Sequence, residues 1–186
     1  LAIAGALVVG LDVEAKRLKG ATIRSRGDHP DCRVEWVQAQ AEDLPFADNS
    51  FDVIVCVDVL EHVSSHAGAL TEIARALRPG GWLYLQFPNR LSPGNLRQDP
   101  HYGLFGVSIL PRRLGELYVV KVRRRSRSYE VGTFPVAHRV FADLSDLGFR
   151  IADWSPAPRR RIGWLTPLLR AYRLDTVPLV TAVCRG

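Results

Sequence analysis

An α/β fold built around a mostly parallel sheet is what this sequence predicts, on three observations. The continuous apolar run Ala6–Leu11 and the segment Phe51–Val57, apolar apart from Asp52, have the length and composition of buried strands. Segments with apolar residues at helical spacing lie between such runs. Strands that alternate with helices imply βαβ units, whose right-handed crossovers generate parallel pairing.

The elements follow in order. Ala6–Leu11 ends in Asp12 and reads as the first strand. Glu14–Ile23 is helical, with Ala15, Leu18 and Ala21 on one face, and Gly27–Pro30 is a loop. Val34–Gln38 alternates apolar and polar residues as a second strand does. Asp48-Asn49-Ser50 is a turn, after which Phe51–Val57 reads as a third strand, buried on both faces. Ala67–Leu77 is a helix with Leu70, Ile73, Ala74 and Leu77 inward, stopped by Pro79 and Gly80-Gly81. Trp82–Phe87 is the fourth strand. From Pro88 to about Pro135 the pattern loosens into short apolar pieces rich in Pro, Gly and Arg. Phe141–Leu147 is a helix ended by Gly148, and Arg150–Trp154 and Val177–Cys184 are two closing strands.

Composition bounds the rest. With 186 residues, 47% of them hydrophobic and 24% charged, the chain reads as one soluble domain, 1–186, able to bury a single core. Its formal net charge of +6 is carried almost wholly by arginine, which keeps an anionic or lipid-linked partner open, although a solvated basic face is the plainer reading. Cys32, Cys56 and Cys184 lack any zinc or CxxC spacing and read as small core residues in a reducing compartment. The apolar opening has no basic leader and is too short to span a bilayer, so a cytoplasmic location without stable membrane insertion is the default expectation.

Candidate functional residues sit at strand ends. Asp12 closes the first strand, where an acid in a doubly wound sheet can accept hydrogen bonds from ribose hydroxyls or can cap the following helix. Asp58, Glu61 and His62 follow the third strand as a D-x-x-E-H set. A neutral His62 there can act as a general base or can orient its loop. The basic runs are Arg123-Arg124-Arg125-Ser126-Arg127 and Arg159-Arg160-Arg161, the second preceding Ile162–Leu169. A solvated rim is their favoured reading over a lipid surface, because Gly163 and Pro167 interrupt any amphipathic helix there.

The run Ala41-Glu42-Asp43-Leu44-Pro45-Phe46-Ala47-Asp48-Asn49-Ser50-Phe51-Asp52, followed by Leu60-Glu61-His62-Val63 and Leu77-Arg78-Pro79-Gly80-Gly81, resembles the middle of a class I S-adenosylmethionine-dependent methyltransferase. The resemblance covers roughly Ala6 to Asn89. It implies a Rossmann-like doubly wound sheet with an antiparallel C-terminal hairpin, and a variable substrate cap at about 88–135. It also implies S-adenosylmethionine as cofactor, with Asp12 on the ribose, Gln40 near the adenine amino group, Ala41 and Glu42 beside the ring, and Val57 and Asp58 at the methionine part. Gln40 departs from the acid usual there, keeping an acceptor oxygen without the charge. Pro88-Asn89-Arg90 should face the crevice and touch the acceptor. Asp58, Glu61 and His62, with His101 as a fourth member, are similar to the E-x-x-E-H metal set of ubiquinone-biosynthesis-type and small-RNA 2′-O-methyltransferases. A divalent cation (Mg, Mn or Zn) is thus an option, not the favoured one; His101 is also a second candidate catalytic residue.

No glycine-rich loop of the G-x-G-x-G kind occurs, and the chain opens on Leu1 without any methionine. The expectation is a natural protein that starts some tens of residues earlier, with a central strand missing from this chain between those ending at Asp12 and Val57. The expected function is methyl transfer to a small-molecule or glycan acceptor, at a hydroxyl oxygen. The alternatives are a non-catalytic binding protein of the same fold, or an NAD-dependent reductase on a related sheet, which the missing Tyr-x-x-x-Lys pair disfavours. A DNA partner is not expected, since neither D/N-P-P-Y nor a Pro-Cys nucleophile is present. Acceptor identity and oligomeric state are not encoded in any pattern here.

Overall fold

The computed structural model describes residues 2, 5–28, 30, 34–153 and 179–185. In chain order the elements are β1 Val8–Asp12, α1 Ala15–Asp28, β2 Val34–Gln38, β3 Phe51–Val57, α2 His66–Ala76, β4 Leu77–Phe87, α3 Pro93–Arg97, α4 Arg112–Glu116, α5 Ala137–Asp146, β5 Phe149–Asp153 and β6 Leu179–Arg185. A 3-10 turn, Val107–Ile109, precedes α4, and a π-helical turn, Leu117–Val122, continues it.

The strands form two hydrogen-bonded groups. β1 and β2 pair in parallel, and β3, β4, β6 and β5 form a second sheet in that order. The β3–β4 pair is parallel, and β6 runs antiparallel to both β4 and β5, which is the expected C-terminal hairpin. Among the described residues no strand joins β1 to β3, so the two hydrogen-bonded groups are separate.

The main core lies on one face of the larger sheet. Leu83, Leu85 and Phe87 of β4 alternate inward and meet Leu70 and Ile73 of α2 and Val140, Phe141 and Leu144 of α5. Ser65 caps α2 by accepting the Gly68 N–H at 3.0 Å. Gly148, at φ +84°, closes the turn after α5 in a conformation a side chain would strain.

Several boundaries differ from expectation. β3 is not buried on both faces: Ile54 and Cys56 face the core, whereas Val53, Val55 and Val57 are exposed, beside an exposed Trp82. Apolar composition registers the strand but cannot tell which of its faces is covered. α1 runs on through Gly27 to Asp28, past the expected end at Ile23. The helix α2 stops at Ala76, and Leu77 already pairs with Phe51, so β4 includes Arg78-Pro79-Gly80-Gly81 at a register shift. Proline and glycine here shape a bulged strand rather than end a helix. α5 begins four residues before the expected start. Trp154, Val177, Cys32 and the Arg159–Leu169 segment lie outside the described residues.

The uneven covering of β3 can be measured. Leu83→Ala should cost about 2–5 kcal/mol in urea unfolding, while Val55→Ala should change stability by about 0.5 kcal/mol or less. Equal losses at both positions would contradict the open face.

Candidate active site at the end of β3

The site is assembled where β3 runs out. Asp58 follows the strand with a left-handed backbone (φ 52°), and its N–H donates to the Gln86 carbonyl at 3.0 Å. That reversal directs the chain into the turn carrying Leu60 and Glu61, both completely buried. Leu60 belongs to the core, but Glu61 brings a carboxylate with it, and neither of its oxygens accepts a hydrogen bond.

What faces that carboxylate is imidazole. His101 Nε2 lies 3.5 Å from Glu61 Oε1 and His62 Nε2 lies 4.0 Å from it. The two rings meet edge to face with centroids 5.2 Å apart. One donor atom from each of the three residues falls within 4.8 Å of the others. Glu61 is sealed, but the His62 and His101 side chains stay 40% and 25% exposed, so the cluster opens to solvent through its histidines.

The cap holds this arrangement in place. His62 Nδ1 lies 3.2 Å from the Glu130 carbonyl and His66 Nε2 lies 3.0 Å from the Thr133 carbonyl. Between them, the Gly132 N–H donates to the Glu61 carbonyl at 2.8 Å. A Cβ at Gly132 would sit 3.1 Å from the Val63 carbonyl and 3.3 Å from that of Glu61, so a side chain here would push the strap outward by a few tenths of an ångström. The Tyr102 hydroxyl accepts the Glu130 N–H at 2.9 Å. Asp99, buried, accepts the N–H groups of His101, Tyr102 and Leu104 at 2.8–3.0 Å and so shapes the loop that presents His101.

Local electrostatics follow the buried charge. Burial, reinforced by the Glu61 charge, raises the Asp58 carboxyl above its ordinary range, against the opposing effects of Gln86, His101 and His62. Burial pushes the Cys56 thiol up to about 12, with Glu61 and Asp58 adding to it, so this free cysteine is an inert core residue.

The other sequence-predicted residues are distributed as follows. Asp12 Oδ1 accepts the Glu14 N–H at 2.8 Å, the capping-type bond that competed with a ribose role. Gln40 is exposed and bridges to Asp43 beyond the end of β2. Ala41 is partly buried and packs on the core. Glu42 is partly buried, and its Oε1 accepts the Ser64 N–H at 2.7 Å and the Ser64 hydroxyl at 2.8 Å. Val57 is exposed, and Asp58 stands outside the three-residue cluster. The expectation that Asn89 and Arg90 face an acceptor is not met. Asn89 is buried and its Oδ1 accepts the Ala137 N–H at 3.2 Å, while Arg90 donates to the Ile109 carbonyl at 2.8 Å.

One organising residue went unnoticed in the sequence. Arg75 donates to the Leu44 and Phe46 carbonyls at 3.0 and 2.7 Å, to Asp48 at 2.9 Å, and through Nε and Nη2 to both Glu72 oxygens. Glu72 in turn accepts the Leu44 N–H at 2.9 Å. The i,i+3 Glu-Arg spacing on α2 was the available signal.

Comparison with known proteins gives a consistent set of likenesses. Residues 1–85 match the methyltransferase domain family. The chain is 30% identical to a ubiquinone biosynthesis O-methyltransferase of Bordetella bronchiseptica over 162 residues, 84% of this chain and 60% of that protein. It is 36% identical to a ubiquinone/menaquinone biosynthesis C-methyltransferase of Dinoroseobacter shibae over 104 residues, 55% of this chain and 40% of that one. A crystal structure of a SAM-dependent methyltransferase from Methanosarcina mazei superposes with a TM-score of 0.60 at 17% identity, covering 98% of this chain and 82% of its own. These likenesses support the class I S-adenosylmethionine-dependent methyltransferase superfamily.

The chain spans 60% or less of the length of the three curated relatives it matches first. The structural likeness carries the Rossmann-like fold alone. S-adenosylmethionine is the cofactor of the superfamily.

The Glu42 contact can be tested by acid titration. Burial would raise this carboxyl, but the hydrogen bonds from Ser64 and the backbone outweigh it and hold the carboxyl below its ordinary value. A depressed folded-state pKa contributes stability above the unfolded pKa that is lost as pH falls through the folded one. Glu42→Gln should therefore cost about 1 kcal/mol at neutral pH, shrinking below about pH 4. A loss independent of pH would show that the charge on Glu42 does not matter.

Proposed function

We propose that this methyltransferase transfers the methyl group of S-adenosylmethionine to a hydroxyl oxygen of a small-molecule acceptor, at the Glu61–His62–His101 cluster. The carrying observation is the Glu61 carboxylate, wholly buried without a hydrogen bond and faced by two imidazoles. A buried ionised group in that state demands a positive partner. The relatives named for ubiquinone biosynthesis extend the reading to a hydroxylated quinone precursor as the acceptor class.

A divalent cation fits that demand. A tetrahedral shell with bonds of about 2.0–2.1 Å sets its donors about 3.3 Å apart, near the 3.5 Å between Glu61 and His101. Metal-bound histidines commonly donate their other ring N–H to a carbonyl, as His62 Nδ1 is placed to do toward Glu130. Glu61, His62 and His101 would hold the ion, and two imidazoles favour Zn or Mn over Mg. When bound, such an ion supplies Lewis-acid lowering of an acceptor hydroxyl's pKa.

The remaining work belongs to positioning. Asp12 and Gln40 lie at and just beyond the carboxyl ends of β1 and β2, where the fold receives a nucleoside, and Asp12 Oδ2 would take the ribose hydroxyls. The acceptor oxygen forms its bond to the methyl carbon as the sulfur–carbon bond breaks, releasing S-adenosylhomocysteine and leaving one hydroxyl proton to be removed. The leaving sulfide is neutral, so the chain mainly supplies alignment and exclusion of water. A second reading rests on the 4.0 Å Glu61–His62 approach: His62 Nε2 takes the proton itself, with Glu61 balancing the imidazolium.

Two titrations separate these readings. S-adenosylhomocysteine should bind in the micromolar range, and Asp12→Ala should abolish that binding. Manganese or zinc should bind the wild-type protein, with more than about 100-fold loss in Glu61→Gln and no loss of thermal stability in the metal-free variant. Absence of cation binding with activity retained in chelator would select the His62 base, and absence of S-adenosylhomocysteine binding in folded protein would overturn the enzymatic reading.

A further inference from the structure

The cap has an outer face that the reaction does not use. Between residues 88 and 135 lie nine basic and three acidic side chains, so this segment carries the chain's entire formal net charge of +6 while the remainder is balanced at sixteen of each sign. One of those three acids, Asp99, is buried and spends both oxygens on backbone N–H groups. The cap surface is thus more basic than its sequence count suggests.

The same segment carries exposed apolar side chains. α4 and its π-helical continuation run as one helix from Arg112 to Val122, the Arg123 N–H closing onto the Tyr118 carbonyl. Gly115 and Val119 turn inward, Val119 into a cluster with Tyr102, Val131 and Phe134. Leu114 and Leu117, each 52% exposed, share the outer stripe with Lys121 at helical spacing. Phe105, Ile109 and Val122 are also exposed on this part of the chain. Arg112 and Arg113 flank the stripe at one end, and Arg123, Arg124 and Arg127 at the other, all exposed.

A merely solvated basic face would not carry this much apolar surface. A face for single-stranded nucleic acid interleaves arginine with aromatic rings on which bases stack, and only Phe105 among these exposed residues is aromatic. Exposed leucine and isoleucine flanked along the chain by exposed arginines match the boundary of an anionic bilayer, where apolar side chains enter the acyl region and guanidinium groups meet phosphates. We propose that the α4 helix and its π-helical turn dock this protein on an anionic phospholipid surface. The contact is peripheral, since among the described residues no helix is long and apolar enough to cross a membrane. The inference rests on the cap surface alone and is independent of which acceptor the protein uses.

Flotation with vesicles tests it. The protein should float with mixed phosphatidylcholine–phosphatidylglycerol vesicles and not with phosphatidylcholine alone, and binding should weaken as salt rises. Leu114→Ser with Leu117→Ser should reduce partitioning at least about tenfold. Arg112→Gln with Arg113→Gln should do the same on anionic vesicles only. All four positions are exposed, so both variants should keep the wild-type melting temperature, and either one suffices if the other fails to fold. Equal binding to neutral and anionic vesicles, or no binding to the anionic ones, overturns the proposal. So does a single-stranded RNA that displaces the protein from vesicles and binds the leucine variant as tightly as the wild type.

Discussion

A carboxylate sealed beneath two imidazoles governs this molecule. Glu61 has no exposed surface and no hydrogen bond, and removing an ionised group from water into such a place is costly unless positive charge meets it. The groups that face it are the imidazoles of His101 and His62, at 3.5 and 4.0 Å. No donor bonds its oxygens, and the Gly132 N–H that reaches this residue goes to the Glu61 main-chain carbonyl. The Asp58 reversal supplies the direction, Leu60 anchors the turn in the core, and the carboxylate follows.

The loop before β3 is held by a different device, with different chemistry. Arg75 satisfies two backbone carbonyls, and its partner Glu72 takes a backbone N–H from the same loop. Five N–H donors in a fixed planar fork suit this task, and a lysine could not reproduce it. Glu42 extends the effect by joining the loop to Ser64, just beyond Glu61 and His62. The motif that runs from Ala41 to Asp52 thus has a mechanical meaning: it is a loop laid against α2 and secured at both ends. This also explains why Glu42, expected beside the adenine, has one oxygen committed to the protein.

Most strands were legible because burial writes itself into composition. β2 agrees residue for residue, and the two closing strands overlap the expected segments. The coverage of each face was not legible, since Val53 and Val55 look like core residues in any sequence and are exposed only because of what lies beside them. Pro79-Gly80-Gly81 signals a helix stop, yet the helix had already ended three residues earlier, and no local signal distinguishes a bulged strand from a loop. Asn89 and Arg90 were misread for a related reason. Polar residues after a strand suggest a ligand, but here their hydrogen bonds fasten the cap to α5 and to Ile109. His101, forty residues from Glu61 in sequence, was named as a fourth member of the set from its segment, and the fold brings its Nε2 to 3.5 Å from the Glu61 carboxylate.

The cap therefore has two jobs that cannot vary independently. Its inner side supplies His101, the Asp99 turn that presents it, and the Glu130 carbonyl that faces His62. Its outer side carries the apolar and basic stripe, and Val119 ties that helix into the same small core as Tyr102, whose hydroxyl receives the Glu130 N–H. A displacement of the outer helix would be felt through Val119 at Tyr102 and then at the strap over Glu61. Close-packed interiors transmit such shifts rather than absorb them. The half of the cluster that belongs to β3 is fixed by the sheet, whereas the half that carries His101 hangs on the least regular part of the chain. Two proteins sharing the Leu60-Glu61-His62-Val63 segment can then differ in acceptor chemistry through the cap alone.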